Sequence, residues 1–405
     1  MILELIIVLA LIIGILVGTL TGLIPGIHIN LVTFFLLSIS ALLIPFFPPI
    51  TLIIFIVSLS ITHIFIDFIP TIFLGAPDED TSLSILPGHE MLIKGEGYEA
   101  VILSILGALI GVILLLPLIP FFILLLPIIY PYIQRIIPII LMLIILIMII
   151  FEKNKILTLI IILLSGFLGY ASLNLNLKDP LLPLLTGLFG SSSLIISITK
   201  TTLLPKQEII SIKSIIKKLN PISLPKSIVA SLIASPICSF LPALGSSQAS
   251  TIGSYVIGEL DRKEFLILVG IVNTLVMSLS FITLYSVNKS RTGSAVAISK
   301  LLPLLSQLDI AQITISIIIS GIFAFIISIF IAKYFSKIIT KISYTKLSLS
   351  IFIFLTIIIT LFSGIIGLII YITSTALGIS CILLGIKRTS LMGCLLIPTI
   401  LIYLL

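Results

Sequence analysis

Long runs of apolar residues dominate the chain and alternate with short polar interruptions. Runs such as 139–151 and 351–362 lack the alternation of apolar and polar positions that a membrane β-barrel requires. A helix needs about 20 apolar residues to cross a bilayer. The pattern therefore predicts an all-α polytopic membrane protein with about 10–12 transmembrane helices. The runs lie near 2–24, 31–48, 50–74, 100–119, 121–133, 136–151, 156–173, 181–199, 227–244, 264–287, 310–332, 347–371, 372–386 and 389–405.

The polar interruptions differ in the sign of their charge. Segment 75–99 holds six of the 15 acidic residues, whereas segments 204–226 and 333–346 are rich in lysine. We expect a basic cytoplasmic linker over 204–226, between a first membrane unit, 1–203, and a second, 227–405. Loops with an excess of Lys and Arg stay on the cytoplasmic side. This rule assigns to the cytoplasm Lys153 and Lys155, the linker, Arg262 and Lys263, segment 333–346, and Lys387 with Arg388.

Composition excludes the soluble classes. The 405 residues are 59% hydrophobic and only 9% charged, too few charges to cover a protein of this size in water. The net charge of +7 comes from short basic loops, so we expect no nucleic-acid partner. Three scattered cysteines without metal-ligand spacing argue against a disulfide framework or a structural metal. The N-terminus lacks the basic region of a cleaved signal peptide, and we expect a multi-pass protein of the cell membrane with a retained first segment.

Two short motifs suggest that the second half copies the first. Residues 22–27 align with 239–244, and residues 79–82 align with 290–293. The relative orientation of the halves depends on segment 100–133: one crossing makes the repeats inverted, and two crossings make them parallel. We favour inverted repeats, each with a broken or re-entrant hairpin, which is a common plan of secondary transporters.

Both aligned breaks are candidate parts of a solute site. Proline and glycine interrupt a helix, and unwound backbone at membrane depth is tolerated only where protein or a water-filled cavity satisfies it. Freed carbonyl groups bind cations, and a following helix N-terminus attracts anions. The alternatives are a surface turn for the first break and small-residue helix packing for the second. The candidates for substrate binding are Pro25, Gly26, His28, Asn30, Pro242, Gly245, Ser246, Ser247 and Arg291. The guanidinium of Arg291 can donate two hydrogen bonds to a carboxylate.

Ionisable residues near the breaks are candidates for ion coupling or gating. His63 and Asp67 lie on one face of a predicted span, where ionisable side chains are costly and usually functional. The alternative places Asp67 at the membrane interface as a helix cap. Asp78, Glu79 and Asp80 form an acidic cluster whose alternative is a solvated loop, and Arg291 has the alternative of an exposed loop charge.

The chain lacks the phosphate loop, zinc-protease and nucleophile-elbow motifs of common enzymes. We therefore expect no enzyme activity, no metal and no cofactor beyond a coupling Na⁺ or H⁺. The alternative function is a membrane-embedded enzyme, or a flippase for lipid-linked substrates, that uses the acidic segment 78–80. A structural scaffold is the third class.

Several motifs resemble the TctA family, the large membrane subunit of tripartite tricarboxylate transporters, and its shorter archaeal members in particular. They are residues 23–27, 75–81, 86–89, 95–100 and 241–247. The resemblance implies import of a carboxylate solute driven by an ion gradient, with a small membrane subunit and an extracytoplasmic solute-binding protein as partners. The chain is shorter than the bacterial type and differs at His28, Asn30 and 77–80. We hypothesise a secondary transporter in the lipid bilayer, forming a homo-oligomer, with its carboxylate site between the Pro25 and Pro242 breaks.

Overall fold

Helices account for almost all of the described chain in the computed structural model. The structure describes residues 2–24, 29–75, 81, 84–150, 152–175, 177, 180–199, 205–240, 246–258, 260–339 and 344–404. No strand occurs in these ranges. Seven of their helices are long and apolar enough to cross a membrane, and three further apolar helices have 10–17 residues. The predicted all-α polytopic membrane fold is confirmed.

The helices are numbered here in chain order. In the first half they are α1 (Ile2–Leu23), α2 (Ile29–Leu43), α3 (Pro49–Leu74), α4 (Ile85–Ile93), α5 (Gly97–Ile150), α6 (Lys155–Asn174), α7 (Leu181–Leu185) and α8 (Ser192–Thr199), with a π-helical turn, Thr186–Ser191, between the last two. The linker carries α9 (Ile212–Lys218). The second half contains α10 (Ser223–Phe240), α11 (Ser246–Ile257), α12 (Arg262–Val287), α13 (Gly293–Leu301), α14 (Gln307–Ile338), α15 (Tyr344–Leu383), a 3₁₀ turn (Arg388–Met392) and α16 (Gly393–Leu404).

Helices α3 and α12 form the centre of the molecule. Each has 26 residues, and 94% of its most apolar stretch is buried, against 28–39% in the other five long spans. Each ends at a residue in the left-handed conformation, Gly75 (φ 65°) and Asn288 (φ 52°). This conformation ends a helix cleanly and is most accessible to glycine and asparagine. The two central helices therefore share their length and their type of C-terminal cap.

Helices α1 and α2 form a hairpin against α3. Three glycines at four-residue spacing let the backbone of α1 approach α3 closely, as small residues do in membrane helix pairs. The contacts join Gly14 to Phe55, Gly18 to Leu59 and Gly22 to Ile66. The numbers rise together, so α1 runs parallel to α3 and ends about 25 Å beyond the start of α3. Helix α2 must return over this distance, because α3 begins only five residues after α2 ends.

Helices α10 and α11 form a second hairpin against α12. Gly253 faces the carbonyl group of Ala230, and these residues lie almost equally far in sequence from residue 242. The two helices are therefore antiparallel. The Ser227 hydroxyl donates to the carbonyl oxygen of Glu264 at 2.9 Å, so the hairpin begins beside the start of α12. This confirms the predicted hairpin over 227–258.

The two hairpins enter the molecule from opposite ends. Phe73, near the end of α3, packs against Gly97, the first residue of α5. Lys263, at the start of α12, pairs with the Glu99 carboxylate at 2.5 Å. The end of α3 and the start of α12 thus lie together, and α3 and α12 are antiparallel. Since each hairpin begins beside the start of its own central helix, the α1–α2 hairpin enters at one end and the α10–α11 hairpin at the other.

The basic segments collect at one end of the molecule, which we call the linker end. Gln207 of the linker accepts from the Gly97 amide at 2.8 Å and donates to the carbonyl oxygen of Leu92 at 3.1 Å. This fixes the linker beside Glu99 and Lys263. Phe335 of α14 stacks near Phe73 with ring centres 6.2 Å apart. The cytoplasmic location of this end, expected from the positive-inside rule, stays a prediction.

The other basic segments also lie at the linker end, beside the last residues of α11. The backbone amide of Lys387 donates to the Glu152 carboxylate at 3.3 Å. Lys387 also shares a cavity with Tyr255 and Phe265, which flank the start of α12. Segments 152–155 and 387–388 therefore join the linker end, as the charge pattern predicted.

Helices α5 and α15 each double back. Phe122 accepts a hydrogen bond from Ser286 in the last turn of α12, whereas Glu99 and Glu152 both lie at the linker end. Segment 100–132 therefore runs once from the linker end to the opposite end of the molecule. The chain then reverses between Phe122 and Glu152, a stretch with three prolines. In α15, Phe352 stacks on Tyr371 with ring centres 6.0 Å apart, so its two arms are antiparallel.

The reversal of α15 corrects one boundary. The apolar runs 347–371 and 372–386 placed the turn near residue 371, but the non-helical residue is Gly364 (φ 63°, ψ −161°). Serine and glycine alone produce this turn without a charged interruption, which is why hydropathy missed it. The order of hairpin, central helix, short helix and long helix recurs in both halves. The internal repeat and the division at 204–226 stay predictions.

Candidate functional site

Most residues of the two predicted breaks lie outside the described residues. These are Pro25, Gly26, His28, Pro242 and Gly245, together with the acidic cluster Asp78, Glu79 and Asp80. For Asn30 and Ser247 the structure describes the helical backbone but not the side chain. The described part of the site consists of His63, Asp67, Ser246, Arg291 and the side chains around them.

His63 joins the middle of α3 to the end of α1. Its Nδ1 lies 3.0 Å from the Thr21 hydroxyl, four residues before Pro25, and both side chains are buried. A buried polar pair of this kind fixes the position of the hairpin, because leaving either partner unsatisfied costs free energy. His63 thus holds the last turn of α1 against α3.

Asp67 joins α3 to the segment that follows it. Thr81 donates from Oγ1 to Asp67 Oδ2 at 2.6 Å, and Thr71 lies 3.5 Å from Oδ1 and 3.0 Å from the Thr81 hydroxyl. All three side chains are buried. Asp67 lies eight residues, or about two turns, before Gly75, so it does not cap the end of α3. The alternative of an interfacial cap is wrong.

The second half places hydroxyl groups at the corresponding position. Ser280 and Thr292 approach to 3.0 Å between their hydroxyl oxygens. Thr292 is also the N-cap of α13, where its hydroxyl accepts from the Ala295 amide. Ser294 in the first turn of α13 meets Ser60 of α3 at 2.8 Å, which links the two halves. The segment after α12 therefore folds back to the middle of the molecule.

Arg291 precedes Thr292 and lies within electrostatic range of the Cys238 thiol on α10. Its side chain is partly buried, so it is not the fully exposed loop charge of the alternative interpretation. Ser246, the first residue of α11, is buried. Both residues therefore lie at the end of the α10–α11 hairpin that points into the molecule.

Both hairpins reach the middle of the central helices. Gly22 lies beside Ile66, about 25 Å along α3. Phe240 lies 13 residues, or about 20 Å, beyond Ser227 at the start of the second hairpin. Each central helix is about 39 Å long. The last described residues before both breaks therefore lie near mid-depth, approached from opposite ends.

Sequence reasoning missed the hydroxyl partners. Thr21, Thr71, Ser280, Ser294 and Ser60 carry most of the described polar contacts of the site, yet serine and threonine are common throughout the chain. Of the hydroxyl partners in the site, only Thr81 and Thr292 could be identified from the sequence, because they occupy equivalent positions in the aligned segments 79–82 and 290–293. Within the described residues, no group of three or more His, Cys, Asp or Glu side chains is placed to hold a metal ion.

Comparison with known families identifies the chain. The family model described as "Tripartite tricarboxylate transporter TctA family" matches residues 8–393. The chain belongs to the TctA family. It is also similar to a protein of the archaeon Methanocaldococcus jannaschii, named as an uncharacterized protein, with 32% identity over 392 residues and 94% of each chain covered. No solved structure matches the chain.

Family membership establishes a multi-pass membrane component of a tricarboxylate transport system. The matched region includes both hairpins, both central helices and the linker. The resemblance drawn from the sequence motifs is confirmed, and so is the archaeal relationship.

The TctA chain also contains a buried arginine near the linker end. Arg388 donates to the carbonyl oxygens of Leu188 and Phe189 in the π-helical turn and to the hydroxyls of Ser192 and Ser193. Its guanidinium also lies over the Phe189 ring, 5.4 Å from the ring centre. A π-turn shifts the helical hydrogen-bond register and leaves carbonyl groups for other donors. Arg388 thus ties the start of the C-terminal segment to α7 and α8.

A cavity of about 350 Å³ opens beside this arginine, between the end of α11, the start of α12 and residues 387–389. Lys387 and the hydroxyl groups of Ser254, Tyr255 and Thr389 line it. The cavity lies at the linker end, where the second hairpin enters.

Proposed function

We propose that this chain is a secondary active transporter that moves a carboxylate-type organic anion across the membrane, driven by an ion gradient. The solute site would lie between the two Pro/Gly breaks, and Ser246, Ser247 and Arg291 would contact the solute. The observation that carries the proposal is the pair of hairpins that reach mid-depth from opposite ends and approach the same hydroxyl-lined region.

This arrangement suits alternating access. Broken helices expose backbone amides and carbonyls at mid-depth, where solute and coupling ion can bind together. The hydroxyl groups of α11 donate hydrogen bonds to a carboxylate, and Arg291 supplies a positive charge. His63 and Asp67, with the acidic segment 78–80, would carry the coupling Na⁺ or H⁺ or gate the path. We propose that the two halves are inverted repeats, and their opposed hairpins support this.

We propose that the chain works with a small membrane subunit and an extracytoplasmic solute-binding protein, as the family description "tripartite" implies. Family membership supports transport rather than a chemical transformation of the solute. Formation of a homo-oligomer stays a prediction. No described contact favours the alternative of a lipid-linked enzyme or flippase.

Uptake into proteoliposomes tests the function. Purified chain, with and without its partner subunits, would be reconstituted and supplied with radiolabelled citrate or succinate under an inward Na⁺ gradient, a pH gradient or no gradient. We expect gradient-dependent uptake that Pro25→Leu and Ser247→Leu abolish. The controls are Pro117→Leu on the exposed face of α5 and Ser380→Leu on the exposed face of α15, which should retain uptake. Full uptake by both break variants would exclude this solute site.

A further inference from the structure

The two central helices carry the same contact at the same position. Asp67 is the nineteenth residue of α3, and Ser280 is the nineteenth residue of α12. Each receives the hydroxyl group of a threonine from the segment that follows its helix. The oxygen–oxygen distance is 2.6 Å from Thr81 to Asp67 and 3.0 Å from Thr292 to Ser280. The four residues therefore form two equivalent pairs.

The two pairs differ in charge. Asp67 supplies a carboxylate that is only 6% exposed, inside a span that is almost entirely buried. A carboxylate in such a place favours the binding of a proton or a small cation, because a negative charge is costly in a low-dielectric interior. Ser280 supplies a neutral hydroxyl that needs no counter-charge. The guanidinium of Arg291, adjacent to Thr292, further disfavours a cation at the second pair.

We propose that Asp67, Thr71 and Thr81 form a site for one monovalent cation, H⁺ or Na⁺, and that Ser280 and Thr292 are its neutral counterpart, which binds none. The chain then binds one cation of this kind. This inference deepens the proposed function and rests on it, since it names the coupling site and its stoichiometry.

The geometry also links cation binding to the segment after α3. Without the cation, the Thr81 hydroxyl donates its proton to Asp67 Oδ2. A Na⁺ ion at this position needs the lone pairs of the hydroxyl oxygen, so the O–H bond must turn away from the carboxylate. A proton on Asp67 instead converts the carboxyl into a donor. In either case the bond that holds Thr81 to α3 changes when the cation arrives.

The test measures cation binding in the absence of solute and gradient, so it is independent of uptake. Full-length protein in detergent would be titrated with ²²Na⁺ in a scintillation proximity assay, and its melting temperature would be followed against pH in choline chloride. Asp67→Asn removes the charge and keeps the shape of the side chain. Glu208→Gln, on the exposed linker, removes one acid at the surface and serves as the control.

If the cation is Na⁺, we expect one ²²Na⁺ per chain in the wild type and in Glu208→Gln, and none in Asp67→Asn. If the cation is H⁺, we expect no specific ²²Na⁺ binding, and we expect the melting temperature to depend less on pH in Asp67→Asn than in the wild type and Glu208→Gln, because the contribution of His89 is common to all three proteins. Specific ²²Na⁺ binding by Asp67→Asn at the wild-type level would overturn the site. If the wild type binds no ²²Na⁺, identical curves of melting temperature against pH for Asp67→Asn and the wild type would also overturn it.

Three further variants test the equivalence of the pairs. Ser280→Asp combined with Arg291→Gln, which removes the nearby positive charge, should add a second cation per chain, and a folded double variant with unchanged stoichiometry would contradict the inference.

Thr81→Val should weaken Na⁺ affinity about tenfold through the loss of one oxygen ligand. If the cation is H⁺, Thr81→Val should instead raise the proton affinity of Asp67, because the carboxylate loses a hydrogen-bond donor. Thr292→Val should leave cation affinity unchanged, and equal effects of the two threonine variants would contradict the neutral role of the second pair. These threonine variants keep the test decisive if the double variant does not fold.

Discussion

Lys263 donates to the carboxylate of Glu99 at 2.5 Å, between the first turns of α12 and α5. The Glu99 side chain is only 6% exposed, so this pair ties the two halves together in a place where water screens it little. The neighbouring pair of Arg262 and Glu90 joins α12 to α4 and is far more exposed, with side-chain exposures of 51% and 38%.

These two pairs should respond differently to loss of the cation. Lys263→Gln leaves a buried carboxylate without its partner, and we expect it to lower the free energy of unfolding by about 3 kcal/mol. Arg262→Gln should cost at most about 1 kcal/mol, because exposed ion pairs contribute little. Thermal unfolding in detergent measures both variants. Equal losses would show that Glu99 is solvated rather than buried.

The hydrogen bond between Thr21 and His63 should stabilise the first hairpin. Thr21→Val removes the hydroxyl and leaves a ring nitrogen of His63 without this partner, so we expect a loss of about 1–3 kcal/mol. Thr19→Val is the matched control, because the Thr19 hydroxyl bonds only to the Ile15 carbonyl of its own helix. Protease protection of the α1–α2 segment, together with melting temperature, reports the effect. A Thr19 variant as unstable as the Thr21 variant would assign the loss to valine in the helix.

His89 should make stability depend on pH. Burial lowers the pKa of His89 from 6.5 to about 4, the Ile72 carbonyl partly opposes this shift, and the charge of Arg388 adds to it. Between pH 6.5 and about pH 4, His89 therefore binds a proton in the unfolded chain but not in the folded chain. Stability contributed by neutral His89 is present above about pH 6.5 and is lost as the pH falls toward 4, by about 3 kcal/mol in total.

The His89→Asn variant isolates this contribution from that of the carboxylates. We expect the wild type to lose more stability than His89→Asn between pH 6.5 and pH 4, as measured by the midpoint of thermal unfolding. Parallel curves for the two proteins would mean that His89 titrates normally.

Arg388 should hold the C-terminal segment in place. Arg388→Lys keeps the positive charge but cannot reach two carbonyl oxygens and two hydroxyls at once, since Lys lacks the planar fork. We expect a loss of about 2–4 kcal/mol. Lys387→Gln, which changes the adjacent exposed side chain, should be close to neutral. Unfolding in detergent compares them, and similar stability of Arg388→Lys and wild type would indicate that charge alone suffices.

Hydropathy located the central helices closely. The runs 50–74 and 264–287 agree with α3 and α12 to within two residues, because a buried span must be apolar on every side. The charge pattern likewise predicted which segments share an end. His63 and Asp67 were found from the sequence because an ionisable residue is conspicuous in an apolar run.

The partners of those residues could not be predicted in the same way. Thr71 lies one turn from Asp67, but Thr81 reaches it only because the chain folds back after Gly75. The reversals in α5 and α15 were hidden for a related reason: hydropathy reports whether a residue avoids water, not the direction in which the chain runs.

The sequence by itself determined an all-helical membrane protein of the TctA family, with basic segments that lie at one end of the molecule. These properties depend on composition and local order, which the chain carries in every conformation. Only the tertiary structure decided that the hairpins enter from opposite ends and that Thr81 meets Asp67 where Thr292 meets Ser280. Those facts depend on close approach between distant segments, which glycines at helix contacts permit but do not by themselves specify.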